Sequence, residues 1–328
     1  MLKYALQRLG YLLVVFSIIT FMCFTLIRML PQPVPIDPKN PLAAQQELER
    51  REALGYNEPI PIQFGYWVKN IVTEFDWGRG VRIYPSHNVT DIFFEKLPVT
   101  MLVNLYSIIG SIPIGIALGV WAALKKNSRT DYLISTITMV AISVPSFVYA
   151  FLVQYLLCFK LQIPWLGLPF PMQLAAGTDY FAPEMIRSMI PPVLSLSFGT
   201  IAGFTRTTRA ELTEVLTNDF MLLARTKGLT KAQATVRHAM RNCMVVILPA
   251  IFGNFIGILG GSLIIEGIFG IPGVGGLTLK AITGANGVDY DFFMLSTCFY
   301  TIVGLLGGLV VDISYGFIDP RIRMGSKK

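Results

Sequence analysis

Side chains able to carry chemistry are sparse in this sequence, and their densest group is cationic. Arg206, Arg209, Arg225, Lys227, Lys231, Arg237 and Arg241, with His238, fall within or at the entrance of the segment 211–241. Uncharged apolar stretches flank it, Ser188 to Thr205 before and Asn242 to Ile265 after. Cations spaced along a polar segment between two apolar runs suit contact with acidic groups of a partner, or with anionic lipid. Support for catalysis is thin. His87 and His238 are the only histidines and fall on opposite sides of the expected membrane, so they share no metal site. Cys23, Cys158, Cys243 and Cys298 form no CxxC pair and read as buried thiols. No G-x-x-x-x-G-K-[ST] phosphate loop is present. The glycine-rich run Gly270 to Gly276 lacks the Lys and hydroxyl of such a loop and reads as a turn.

These residues need a scaffold, and composition indicates which. Of 328 residues, 53% are hydrophobic and 14% charged, too apolar for an ordinary soluble enzyme. Six regions of membrane-crossing or nearly membrane-crossing length lack Asp, Glu, Lys and Arg: Leu9 to Ile27, Leu97 to Leu124, Tyr132 to Phe159, Ser188 to Thr205, Asn242 to Ile265 and Phe292 to Val311. The fourth is the weakest, opening on Pro191-Pro192, and has a re-entrant segment as its alternative. The first follows Lys3 and Arg8 as a signal peptide would, but is long and lacks a cleavage site; it reads as an uncleaved helix. With the N-terminus inside, the inner segments hold 16 Lys or Arg and 6 Asp or Glu, the outer ones 11 and 14. That bias predicts both termini in the cytoplasm of a multi-pass plasma-membrane protein. The net charge of +7 collects beside anionic lipid and needs no nucleic acid to explain it. The expected organisation is an N-terminal membrane helix (1–30), an extracytoplasmic cap (31–97) and a five-helix core (98–328) carrying the segment 211–241.

Local signals refine this all-α, six-helix reading. Ala43 to Leu54 is predicted helical, with Gly55 as its stop. The aromatic-rich stretch through Phe64, Tyr66, Trp67, Phe75 and Trp77 is predicted to fold, and to help receive an external partner. Pro113, Pro145 and Pro249 interrupt the second, third and fifth runs and are candidate gate or pore-shaping positions, with Glu266 and Pro272. Glu266 also reads as an interface anchor. Gly115-x-x-x-Gly119, Gly253-x-x-x-Gly257-x-x-x-Gly261 and Gly304-x-x-x-Gly308 predict close helix packing. Within 211–241, Asn218 or Asp219 caps a helix that Gly228 ends. Thr230 and Gln233 then cap a second short helix reaching about Met240. Met221, Ala224, Val236, Ala239 and Met240 are its expected apolar contacts.

Arg206-x-x-Arg209, Ala224-Arg225-Thr226-Lys227-Gly228-Leu229 and Arg237-His238-Ala239-Met240-Arg241-Asn242 together resemble the cytoplasmic coupling region of bacterial ABC importer permeases. In that family's Glu-Ala-Ala-x-x-x-Gly signature, Ala224 and Gly228 match the second Ala and the Gly. Leu222 and Leu223 stand where an acid and the first Ala often occur. The Ala-Arg-x-Lys-Gly-Leu ending resembles the oligopeptide/dipeptide permease branch, OppB/DppB-like. So do GSLIIEGIFGIPGVGGL (Gly261 to Leu277), Leu54-Gly55-Tyr56-Asn57-Glu58-Pro59 with Gln63 and Trp67, Asp76-Trp77-Gly78, and Asp319-Pro320-Arg321-Ile322-Arg323. The resemblance implies a permease subunit forming half of a peptide import pathway. Its implied partners are a second permease (OppC/DppC-like), two cytoplasmic ATPases (OppD/OppF- or DppD/DppF-like) and an extracytoplasmic peptide-binding protein. ATP and Mg would bind the ATPases, with no cofactor on this chain. Arg206, Arg209, Ala224, Arg225, Lys227, Gly228, Leu229, Arg237 and His238 are the implied ATPase-coupling residues. Nickel or another small solute is the alternative cargo, and a membrane receptor or scaffold the alternative of another class. A secondary transporter would need charged groups near midplane, which the six cores lack.

Overall fold

The computed structural model describes residues 2–30, 42–53, 55–81, 83–164, 167–175, 179–283 and 288–318. The proline-rich 31–41 stretch of the expected cap, Leu54 and the Asp319–Arg323 motif with the basic tail after it lie outside the described residues. Regular structure among those described is helical, apart from one isolated bridge between Arg79 and Asn88. The helices are α1 (Leu2–Arg28), α2 (Ala43–Ala53), α3 (Ile60–Glu74), α4 (Val89–Leu124), α5 (Arg129–Ser143), α6 (Ser146–Gln154), α7 (Pro183–Val215), α8 (Asp219–Thr226), α9 (Lys231–Ala234), α10 (Met240–Gly257), α11 (Leu263–Ile268), α12 (Val274–Thr283) and α13 (Tyr290–Ile318).

Five helical stretches, in α1, α4, α7, α9–α10 and α13, are long and apolar enough to cross a membrane; the α5–α6 pair makes a sixth if read as one broken span. Five of the six expected runs fall on them; the fifth, Asn242 to Ile265, overruns its span, which ends at Gly260, into α11. The break, however, is not where the sequence looked weakest. The fourth run lies in α7, a 33-residue helix that continues through Pro191 and Pro192. The third run is bent by 101° between Ser143 and Ser146. Pro145 explains this, because proline crowds the preceding residue out of the helical region; Val144 is extended at φ −85°, ψ 126°. Helices α4 and α10 run on through Pro113 and Pro249. The short helix expected to stop near Met240 does not: α9 passes through a π-helical turn, Thr235–Ala239, into α10. Neither glycine nor proline follows Met240 to end it until Pro249.

The chain divides into two compact units, 1–101 with 259–306 and 102–258 with 307–328. In the first, Val89, Phe93 and Leu97 of α4 pack with Val274 and Leu277 of α12 and Phe292 and Leu295 of α13. Phe24 and Ile27 of α1 meet Tyr290, Met294 and Cys298 of α13, with Phe64, Trp67 and Trp77 against them. Trp67 stands edge-on to Trp77 at 5.8 Å between centroids. The aromatic stretch therefore folds, but Trp67 and Trp77 are spent on internal packing; Tyr66 keeps an exposed ring.

The outer-segment motifs have local causes. Gly55 follows α2 at φ +69°. Tyr56 lies under the Arg28 guanidinium at 3.7 Å, and the Gln63 amide donates to the carbonyls of Tyr56 and Glu58. Asp291 accepts from the Arg79 N–H and pairs with Arg50, while Asp289 accepts from the N–H groups of Val81 and Ile83. Those carboxylates pin Arg79, Val81 and Ile83 to the start of α13.

In the second unit, α7 is the axis. Helices α5, α6 and α10 pack on it, and so does α4 at Gly115 and Gly119, where an added Cβ would fall 2.7 Å from Phe204 and 2.6 Å from Thr208. The Thr205 hydroxyl donates to the Gly115 carbonyl at 3.2 Å, as close packing allows. The other glycine runs behave differently. Gly257, Gly304 and Gly308 have nothing within 4 Å of an added Cβ, and Gly261 sits at φ +60° rather than in a helix.

Candidate functional site

The segment 211–241 is a helix–glycine–helix element. Helix α8 follows Asn218, whose side chain makes no capping bond. It ends at Gly228, in the left-handed region at φ +89°. The Gly228 N–H donates to the Arg225 carbonyl and the Leu229 N–H to Ala224, the paired bonds of a glycine-ended helix. Thr230 and Gln233 form a full capping box that starts α9. Met221, Ala224, Ala234 and Ala239 are buried, and Leu229 is partly so. Arg225, Lys227, Arg237 and His238 are exposed. Val236, expected as an inner contact, is 69% exposed, beside Leu222 and Leu223 at 65% and 55%. The π-helical turn shifts the register of 235–239 relative to an ideal helix, so periodicity counted at 3.6 misplaces Val236. The resulting face, apolar and basic together, is suited to a protein partner.

The two arginines entering this element separate. Arg209 forms a bidentate pair with Asp131 of α5, its outer nitrogen 2.8 Å from Oδ2. Asp131 is buried and also accepts from the Asn127 N–H and the Ser135 hydroxyl. Arg209 thus ties the end of α7 to the start of α5 in a geometry lysine cannot reproduce. Arg206 is exposed and lines a cavity of about 670 Å³.

That cavity lies between the α5–α6 bend and α7, and includes Ser146, Tyr149, Ser195, Gly199, Gly203 and Glu211 in its wall. Two more open along α7: one of about 320 Å³ toward α10, lined by Gly199, Thr200, Gly203, Thr207 and Asn254, and one of about 270 Å³ toward α4, lined by Thr200, Asn254 and Asn104. Nothing lies within 4 Å of an added Cβ at Gly199 or Gly203. Hydroxyls, amides and bare backbone on one face of a spanning helix can exchange hydrogen bonds with a polar solute inside an apolar bundle. Sequence reasoning missed this face because it carries no charge within the span. The available signal was Ser195, Gly199, Gly203 and Thr207, repeating every fourth residue.

Of the candidate gate positions, Pro145 makes the bend whose flanks Val144 and Ser146 line the large cavity. Pro113 and Pro272 are exposed and Pro249 is buried within α10. Glu266 is buried and held by neutral donors: the Thr100 hydroxyl at 3.1 Å, the Ser262 N–H at 3.3 Å and the Gly276 N–H at 2.9 Å. Added Cβ atoms at Gly273 and Gly275 would strike its carboxylate. The glycine-rich run is therefore the cradle of Glu266. Among the described residues no group of three or more His, Cys, Asp or Glu could hold a metal ion.

Comparison with known proteins agrees with this architecture. A family model described as binding-protein-dependent transport system inner membrane component matches residues 115–324, and its N-terminal companion matches 1–104. The dipeptide transport system permease protein DppB of Bacillus subtilis is 30% identical over 100% of both chains. DppB of Lactococcus lactis is 32% identical over 99% of this chain and 100% of its own, and the oligopeptide transport system permease protein OppB of Haemophilus influenzae 31% over 98% and 100%. Among solved structures, an inward-facing MetNI methionine ABC transporter matches at TM-score 0.54 and 14% identity, covering 70% of this chain and 97% of that one. A bacterial ABC transporter involved in alginate import matches at 0.50 and 16%, covering 84% and 97%. The structures support the fold, and the relatives support descent over the full length. The chain belongs to the binding-protein-dependent transport system inner membrane components, in the branch that contains the DppB and OppB permeases.

Proposed function

We propose that this chain forms half of the membrane pathway of an ATP-driven peptide importer. Its family makes it a transport subunit of a heteromeric ABC system with ATPase and binding-protein partners, in which ATP and Mg are handled by the ATPases. Peptide as cargo is supported by the relatives, whose names specify dipeptide or oligopeptide transport. The observation that carries the mechanism is the continuity of α7. One helix lines the cavities through Ser195, Gly199, Gly203 and Thr207, runs on past Arg209, and is separated from α8 by Leu216, Thr217 and Asn218 alone. At 1.5 Å per residue such a helix reaches about 50 Å, well beyond roughly 30 Å of hydrocarbon.

The charge bias supports both termini and 211–241 in the cytoplasm, with 31–97 as an external cap. Two cytoplasmic ATPases then meet Arg225, Lys227, Arg237 and His238 around Leu222, Leu223 and Val236. Displacement of α8 pivots at Gly228 and is delivered along α7 to the cavity wall. Arg209 carries it to α5, above the bend at Pro145. A second permease subunit completes the pathway around the open face of α7, and the extracytoplasmic binding protein delivers peptide to it.

Co-reconstitution in liposomes with the second permease, both ATPases and the binding protein tests this. Accumulation of labelled dipeptide that requires both ATP and binding protein is the expected result. Uptake of nickel ions without peptide would replace the cargo assignment. Absence of any ATP-driven uptake by an assembled complex would reject the import reading.

A further inference from the structure

A separate cavity in the second unit is lined by two lysines, Lys126 and Lys231, that the coupling reading does not use. It has a volume of about 550 Å³ and is lined by Leu124 at the end of α4, Thr213 and Leu216 at the end of α7, and Lys231 at the start of α9. Helix α8 supplies the remaining wall. Lys126, Arg225 and Lys231 line it against one carboxylate, Asp219, and among the described residues none of these three cations makes an ion pair. Thr213, also on its wall, buries its hydroxyl oxygen without a hydrogen-bond partner.

Like charges around a concavity repel one another and focus a positive potential into it, which an entering anion relieves. The depth restricts the anion. Leu124 closes the charge-free run of α4 and Lys126 follows two residues later, the place where basic side chains meet phospholipid headgroups, whose phosphates are the abundant anions there.

We propose that this cavity binds a phosphate-bearing anion, supplied by the headgroup of an anionic phospholipid or by free phosphate, and that the occupant sits behind α8. This rests on the coupling reading in one respect: occupancy braces the helix that meets the ATPase, and so sets how stiffly displacement is passed to α7. Binding itself is independent of that reading.

The test uses the full chain in nanodiscs of phosphatidylcholine with phosphatidylglycerol. Native mass spectrometry counts the phosphatidylglycerol that remains bound. The unmodified chain is expected to retain it. Lys126→Gln/Lys231→Gln should weaken retention about twenty-fivefold, from roughly fivefold for each lysine at an anionic surface. Lys125→Gln, whose side chain is exposed outside the cavity, should retain it and controls for folding and general charge. Inorganic phosphate at millimolar concentration separates the sources: displacement of the lipid assigns the site to free phosphate as well, and no displacement assigns it to the headgroup. Equal retention by the unmodified chain and the double variant overturns the proposal. It is also overturned, in favour of an acidic ATPase segment, if Lys126→Glu/Lys231→Glu loses the ATPases while keeping the lipid. No peptide uptake enters these readouts, so failure of the import reading and failure of this one are distinguishable.

Discussion

Gly228 shows how much one backbone angle can decide. At φ +89°, with nothing within 4 Å of an added Cβ, strain rather than collision opposes any side chain there. A non-glycine residue in the left-handed region costs about 1–2 kcal/mol, and a β-branched one more, whereas asparagine tolerates it. Gly228→Val is therefore expected to lower ATPase co-purification and ATP-driven uptake together at unchanged membrane abundance, and Gly228→Asn to keep most of both. Normal uptake by the valine variant would reject the pivot. The Asp131–Arg209 pair makes a different demand, because Asp131 is buried. Truncating Arg209 leaves the buried carboxylate uncompensated, at a cost of about 3 kcal/mol, whereas truncating Asp131 leaves a guanidinium that is 33% exposed and reaches water. Thermal unfolding should show Arg209→Ala strongly destabilised and Asp131→Ala less so, with the double variant little worse than Arg209→Ala; simple additivity in this double-mutant cycle would show that the two groups do not act together.

At the scale of elements, α7 presents two kinds of surface. Against α4 it is closed, since Gly119 abuts Thr208 and the Thr205 carbonyl. Along Gly199 and Gly203 it is open. Leucine at these positions should therefore have opposite consequences. Gly119→Leu is expected to reduce folded protein in the membrane, as overpacking of about 1–3 kcal/mol does. Gly199→Leu and Gly203→Leu should fold and bind ATPases normally but lose peptide uptake, because they fill the cavity without touching the scaffold. Size-exclusion profiles with an uptake assay separate the outcomes, and full transport by Gly203→Leu would remove this face from the pathway. Element boundaries set by close neighbours, such as the Thr230–Gln233 box and the Gly228 stop, were legible in the sequence. Which proline bends its helix was not. Pro113 and Pro249 sit in helices that run on, and only packing distinguishes them from Pro145.

For the whole molecule, six apolar runs and the asymmetry of Lys and Arg predict a topology that can be probed directly. Cysteines introduced at Ser86 should react with impermeant reagent from outside the cell, and those at Ser128 and Thr230 only after the inner face is opened. Reversed labelling at two of these three sites would invert the molecule and, with it, the assignment of α8 to the ATPase side.

The sequence by itself determined the all-α membrane class, the six hydrophobic runs, the helix–glycine–helix element and the family resemblance. These depend on composition and on residues within a few positions of one another, where propensity, capping and hydrophobic length act. Tertiary structure alone decided that Arg209 serves Asp131, 78 positions away, that Trp67 and Trp77 pack inward, and that Glu266 rests in a glycine cradle. It also decided that α7 has an open polar face. Each of these is a meeting of distant segments or a space between helices, and such meetings are selected by packing rather than by local pattern.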